Sequence, residues 1–152
     1  MSIATPRNPA LLLDNQLCFS LYAASLSMTK LYKPLLDALG LTYPQYLVML
    51  VLWEQDGPTV STLGERLNLD SGTLTPLLKR MAQAGLLERK RCADDERRVQ
   101  LFLTPTGAAL QQRAADVPGC VLAQTGCTVP EVVALTRQLQ QLRAQIVAVQ
   151  PP

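Results

Sequence analysis

From Leu13 to Leu39 apolar residues recur every three or four positions, through Leu17, Leu21, Ala24, Met28, Leu31 and Leu35. That spacing is the period of one helix face. Gly40 supplies a stop, and Pro34, inside the run, predicts a kink or a loosened turn. Thr42-Tyr-Pro-Gln45 reads as a capping box with Pro44 in the first turn. The helix it opens, YLVMLVLWE, is apolar nearly all round and so predicts a buried element. It ends at the turn Gln55-Asp-Gly-Pro58.

Two shorter helical patterns follow, flanking the turn Leu67-Asn-Leu-Asp70. The second begins at the caps Asp70 and Ser71 and stops at Gly85. LLERKR and RRVQLFLT then alternate in polarity around the polar bend CADDE, which predicts a strand–loop–strand hairpin. From about Val117 to Val129 the chain reads as a loose stretch with Pro118, Gly119 and Gly126. Thr128-Val-Pro-Glu131 is a second capping box. Behind it Val132, Leu135, Leu139, Leu142, Ile146 and Val149 form a narrow apolar seam. The seam is distant in sequence from the central module. We therefore expect it to pack on another subunit together with the first helix.

Composition narrows the class. The chain has 152 residues, 48% hydrophobic and 17% charged, which fits one globular domain. It has no apolar run long enough to span a membrane, and MSIATPRNPA lacks the parts of a signal peptide. A cytoplasmic protein is expected. There are no histidines, which removes histidine triads and histidine zinc sites. The four cysteines, Cys18, Cys92, Cys120 and Cys127, show no CxxC spacing. Neither a metal nor a cofactor is expected. The net charge of +2 is uninformative, but Lys79, Arg80, Arg89, Lys90 and Arg91 stand against the single acid Glu88, a local excess suited to phosphate.

Two short helices across a tight turn, followed by a hairpin, make a winged helix-turn-helix over 44–107. The start of its second helix carries Ser71, Thr73, Thr75 and Pro76, which can reach base edges or thymine methyls. Lys79 and Arg80 lie a turn later, placed for phosphates. Arg97, at the wing tip, can enter a narrow minor groove. The acids around it suggest that one aspartate holds a nearby arginine side chain in a fixed pose. Asp95-Glu-Arg97, Leu101-Phe-Leu-Thr104 and Gly107 resemble the wing signature of MarR-family regulators, DxRxxxLxLTxxG, at every fixed position. The resemblance implies a mainly α fold with a small β-hairpin wing. It implies a homodimer held by both chain ends, 10–40 and 117–150, within a single domain over 1–152. It implies a repressor on double-stranded, pseudo-palindromic operator DNA. Base or groove contact carries over to Ser71, Thr73, Thr75, Pro76 and Arg97, and phosphate contact to Lys79, Arg80, Arg89 and Arg91.

Cys18 sits among leucines near the start of the first helix, with Tyr22 four residues on. Tyr32 is fourteen residues on, close to four turns. It can reach the thiol only through a bend near Pro34 or from another subunit's helix. Tyr43 opens the next helix. A phenol that donates a hydrogen bond to a thiolate favours the charged form, and a thiolate attacks peroxides to give a sulfenic acid. LLLDNQLCFSLY, LTYPQYLVMLVLWE and LGERLNLDSGTLTPLLKR are similar to the organic hydroperoxide sensors of the MarR family, OhrR. That resemblance implies that Cys18 is the reactive cysteine. It matches Tyr32 and Tyr43 to the two tyrosines that hydrogen-bond the thiolate and Tyr22 to a third tyrosine of the pocket.

In one branch of that subfamily a second cysteine near the start of the last helix resolves the oxidised one. The aligned position here is Ala123, a departure from the pattern. Cys127 and Cys120 are the resolving candidates, and Cys127 is preferred because the capping box pins it. Cys92 reads as a bystander in the wing. The expected function is a repressor released when organic hydroperoxide oxidises Cys18. The alternative is a repressor relieved by a small aromatic ligand. A thiol peroxidase lacks its motif here, so no enzyme is expected.

Overall fold

The computed structural model describes residues 8–151. The segment 1–7, which bears on the absence of a leader, lies outside the described residues. The chain divides into two compact units, 1–115 and 116–152.

In the first unit, two 3₁₀ turns, Pro9–Leu11 and Leu13–Asn15, precede α1 (Leu17–Asp37). The sequence pattern placed Leu13 on the helix face. It lies instead in a 3₁₀ turn, because the Asn15 and Gln16 side-chain amides donate back to the carbonyls of Pro9, Ala10 and Leu12 at 2.7–2.8 Å. Those bonds fold the segment on itself and make Gln16 the N-cap. Cys18 thereby becomes the second residue of α1. Pro34 does not break the helix, which continues to Asp37. It falls in the last turn, so it forfeits one ladder bond, to the Lys30 carbonyl, and only three residues of helix follow it.

Next come α2 (Tyr43–Glu54), α3 (Val60–Leu67), α4 (Ser71–Gln83), β1 (Leu87–Arg91), β2 (Val99–Leu103) and α5 (Pro105–Ala114). The expected capping box at Thr42 is present, with both Thr42–Gln45 bonds made. In α2, Tyr46, Val48, Met49, Val51 and Leu52 are buried, as an all-round apolar helix requires. α3 and α4 meet across a turn in which Asn68 takes φ +55°. The approach is close, since a Cβ on Gly64 would stand 2.8 Å from the Leu69 carbonyl oxygen. Leu63, Leu74, Leu78 and Met81 fill the space between. Each buried aliphatic side chain contributes roughly 2 kcal/mol. The hairpin pairs Leu87 with Leu103 through Arg91 with Val99, antiparallel.

The last part of the wing signature now has a physical basis. Thr104 Oγ1 accepts from the Gly107 amide at 3.0 Å and donates to the Gly85 carbonyl. The Thr104 amide donates to the Leu86 carbonyl at 3.2 Å. Gly107 packs so tightly on that carbonyl that a Cβ has no room. Trp53, from α2, donates its indole N–H to the Gly107 carbonyl at 3.0 Å.

The second unit holds α6 (Val117–Thr125) and α7 (Val129–Val149). The stretch read as loose from Val117 is therefore largely helical. Pro118 and Gly119 look like turn residues, yet proline suits a first helical turn. Gly126, at φ +71°, ends α6. The second capping box forms between Thr128 and Glu131. The Thr128 amide and then its hydroxyl donate to the Glu131 carboxylate, holding it below its usual range. No residue of α7 is buried. Among the described residues no helix is long and apolar enough to cross a membrane.

Gly107→Ala should cost about 2–4 kcal/mol in urea unfolding, because rigid backbone, not a movable side chain, blocks the methyl. A change under ~0.5 kcal/mol would show that the junction relaxes freely.

Candidate DNA-reading face and tyrosine site

The strand period of two puts Arg89 and Arg91 on the same face of β1 as buried Leu87. Lys90 takes the other face, 3.6 Å from Glu88 and over the Phe102 ring. A groove of about 440 Å³ opens between α3, α4 and the hairpin. It brings together Ser71, Thr75, Arg89 and Arg97 of the expected DNA-contacting residues. Thr59, Ser61 and Arg98, which no sequence motif marks, line it as well. Arg98 was legible as the neighbour of Arg97. Thr59 and Ser61 were legible only as the cap and first turn of α3. Thr73, Pro76, Lys79 and Arg80 are exposed along α4, and Arg91 is exposed on β1, but none of the five lines the groove. Among the described residues, no basic side chain of the groove or of α4 has an ion-pair partner.

The wing tip corrects one expectation. The Asp95 carboxylate accepts from the Arg97 backbone amide at 3.0 Å, not from an arginine side chain. The Asp95 carbonyl takes the Arg98 amide, also at 3.0 Å. Aspartate here shapes the turn and leaves both guanidinium groups free, the usual work of an Asx turn.

The tyrosines form a compact group at the meeting of α1 and α2. Ring centroids lie 5.0 Å apart for Tyr32 and Tyr43, 5.8 Å for Tyr32 and Tyr46, and 6.4 Å for Tyr43 and Tyr46. Tyr46 was read only as part of an apolar helix. Its place one turn after Tyr43 was the available signal. Burial raises all three phenols above the ordinary value of 10.0, and the charge a neighbouring phenolate would carry adds to the rise at Tyr32 and Tyr46. At neutral pH all three are therefore O–H donors. Tyr22 stands apart, 62% exposed on α1.

Cys18 is exposed and is not beside these donors. α1 runs unbroken between Cys18 and Tyr32, and fourteen residues of helix span about 21 Å. Pro34 lies beyond Tyr32, so a bend there would not shorten the gap. In the second unit Cys120 sits in the first turns of α6, and Cys127 occupies the link before α7; both are exposed. The Cys127 amide donates to Thr125 Oγ1 at 3.2 Å. In the hairpin, the Cys92 amide donates to the Arg98 carbonyl at 2.8 Å.

The model of the MarR family matches residues 41–99. The organic hydroperoxide resistance transcriptional regulator of Bacillus subtilis (strain 168) is 61% identical over 110 residues, 72% of this chain and 75% of that protein. The structure of reduced AbfR bound to DNA, a Staphylococcus epidermidis protein, superposes with a TM-score of 0.78 at 36% identity, covering 89% of this chain and 94% of that one. The structure of disulfide-formed AbfR gives a TM-score of 0.62 at 39% identity, over 86% and 91%.

The raised phenols fix the sign of an alkaline effect. The native state holds these protons more tightly than the unfolded chain does. The contribution is therefore complete below pH 10 and is lost as pH rises above it. Stability measured by urea unfolding should fall above pH 10, with a shallower fall in Tyr43→Phe. Equal slopes in the two proteins would contradict the burial of this phenol.

Proposed function

The chain belongs to the MarR family, DNA-binding transcriptional regulators and not enzymes, and from that premise we propose a peroxide-sensing repressor. It reads operator DNA as a homodimer and is released when an organic hydroperoxide oxidises Cys18. One observation carries the reading. The chain builds a cluster of neutral tyrosine donors and a thiol at a helix start, yet the unbroken helix α1 sets Cys18 about 21 Å from Tyr32 of that cluster. A second subunit closes that gap. The surfaces it would cover are apolar and exposed: Leu11, Leu13, Leu17, Phe19, Leu26 and Met28 before and along α1, and Val133, Leu135, Leu139 and Ile146 on α7. The partner's Tyr32 and Tyr43 would then donate to the Cys18 sulfur.

The Cys18 thiolate attacks the distal peroxide oxygen, the O–O bond breaks, and the alkoxide leaves as the alcohol once it takes a proton from water. Sulfur is oxidised to the sulfenic acid as the peroxide is reduced. The Cys127 thiolate of the other chain then displaces hydroxide from that sulfur, which leaves as water once protonated, and a disulfide forms. Cys127 is favoured over Cys120 because it lies in the short link between helices, next to the Thr128 cap, where the backbone has no helical bonds to give up. A disulfide needs Cα atoms within about 7 Å, so closing it imposes local geometry on both chains. That geometry moves the two DNA-reading faces off their half-sites. Ser71, Thr73, Thr75, Pro76 and Arg97 serve as base or groove contacts, and Lys79, Arg80, Arg89 and Arg91 as phosphate contacts.

A second reading, relief by a small aromatic ligand, is favoured by an apolar groove of about 390 Å³ between α1 and α2, lined by Leu26, Leu36, Leu41 and Tyr43. The two are separated by operator binding before and after one equivalent of cumene hydroperoxide, with Cys18→Ser alongside. The redox reading expects wild type to lose about 10- to 100-fold in affinity while the variant loses none. Equal behaviour of the two proteins would leave the ligand reading standing.

A further inference from the structure

We propose that Tyr46 is a positioning residue of the peroxide-sensing site, its ring fixing where the Tyr32 and Tyr43 hydroxyls point. This rests on the sensor reading above and adds to it a residue with no direct part in the chemistry. Tyr46 closes a triangle with the other two rings, at 5.8 and 6.4 Å. It differs from them in burial. Tyr32 and Tyr43 are half-buried, whereas Tyr46 is 3% exposed. It is therefore the floor on which the other two rings rest.

The floor is itself braced. Tyr46 meets Trp53 edge-on at 6.5 Å, and Trp53 is tied to the Gly107 carbonyl through its indole N–H. Tyr32 and Tyr43 come from different helices, so the contact between α1 and α2 alone does not set their mutual angle. A ring wedged against both does. Hydrogen bonds weaken steeply as distance and angle depart from the optimum. A donor pair that drifts by an ångström no longer stabilises a thiolate. Packing of this kind is what holds a functional group to its working geometry.

Tyr46→Leu removes the wedge, and Tyr46→Phe keeps it. The readouts are the pH midpoint of Cys18 alkylation by iodoacetamide, the rate of Cys18 oxidation by cumene hydroperoxide, and the affinity of the reduced dimer for its operator. In Tyr46→Leu the midpoint should rise by about half a unit or more, with oxidation at pH 7 slowed ~3-fold or more. Tyr46→Phe should restore both values, and operator affinity should match wild type throughout. An unchanged midpoint in Tyr46→Leu overturns the proposal. So does a shift accompanied by loss of operator binding, which marks a general packing role. Tyr43→Phe separates the layers. If it raises the midpoint while Tyr46→Leu does not, only the Tyr46 assignment fails. If neither raises it, the sensor reading fails as well.

Discussion

The Gly107 backbone lies against the Leu86 carbonyl, and both working parts of the first unit hang from that contact. On one side, Thr104 ties the end of the hairpin to the turn after α4. On the other, Trp53 ties the same backbone to α2, where Tyr43 and Tyr46 begin the aromatic cluster. A side chain at 107 would push these elements apart. Interiors are packed too densely to absorb such a displacement locally. The face proposed to read DNA and the tyrosine cluster therefore share one rigid junction.

The second constraint is the length of α1. A helix of 21 residues fixes the distance between its two ends, and here Cys18 lies at one end and Tyr32 near the other. Cys18 is exposed at the start, and Tyr32 is half-buried near the finish, where it meets Tyr43 of α2. The thiol and this pair of phenols do not meet within the chain. The exposed apolar residues around the start of α1 and along α7 have the character of surfaces meant to be covered. A dimer answers both deficits together.

Much of this was legible in the sequence because it is local. Capping boxes at Thr42 and Thr128, the stop at Gly85 and the alternation of the hairpin are encoded within a few residues. What was missed depends on contacts across the fold or on a residue with two meanings. Pro118 and Gly119 signal a turn and are equally at home in the first turn of α6. Asp95 was read as a partner for an arginine side chain because charge suggested it, but the nearer donor was a backbone amide. Tyr46 was hidden in an apolar helix, and only the arrival of Tyr32 from α1 gives it a second role. The residues proposed to read DNA stood out in the sequence as a group. Which of them share one groove required the wing to be folded against α4.

The claim on which most depends is that each sensing site draws its thiol from one chain and its phenols from the other. The direct measurement is oxidation in mixed dimers of a Cys18→Ser chain with a Tyr32→Phe, Tyr43→Phe chain. Neither parent homodimer has a complete site under this account, while the mixed dimer regains one. Its single Cys18 should react with cumene hydroperoxide at the wild-type rate. If that Cys18 instead reacts as slowly as in the doubly substituted homodimer, the thiol and the phenols do not meet across the interface, and the account is wrong.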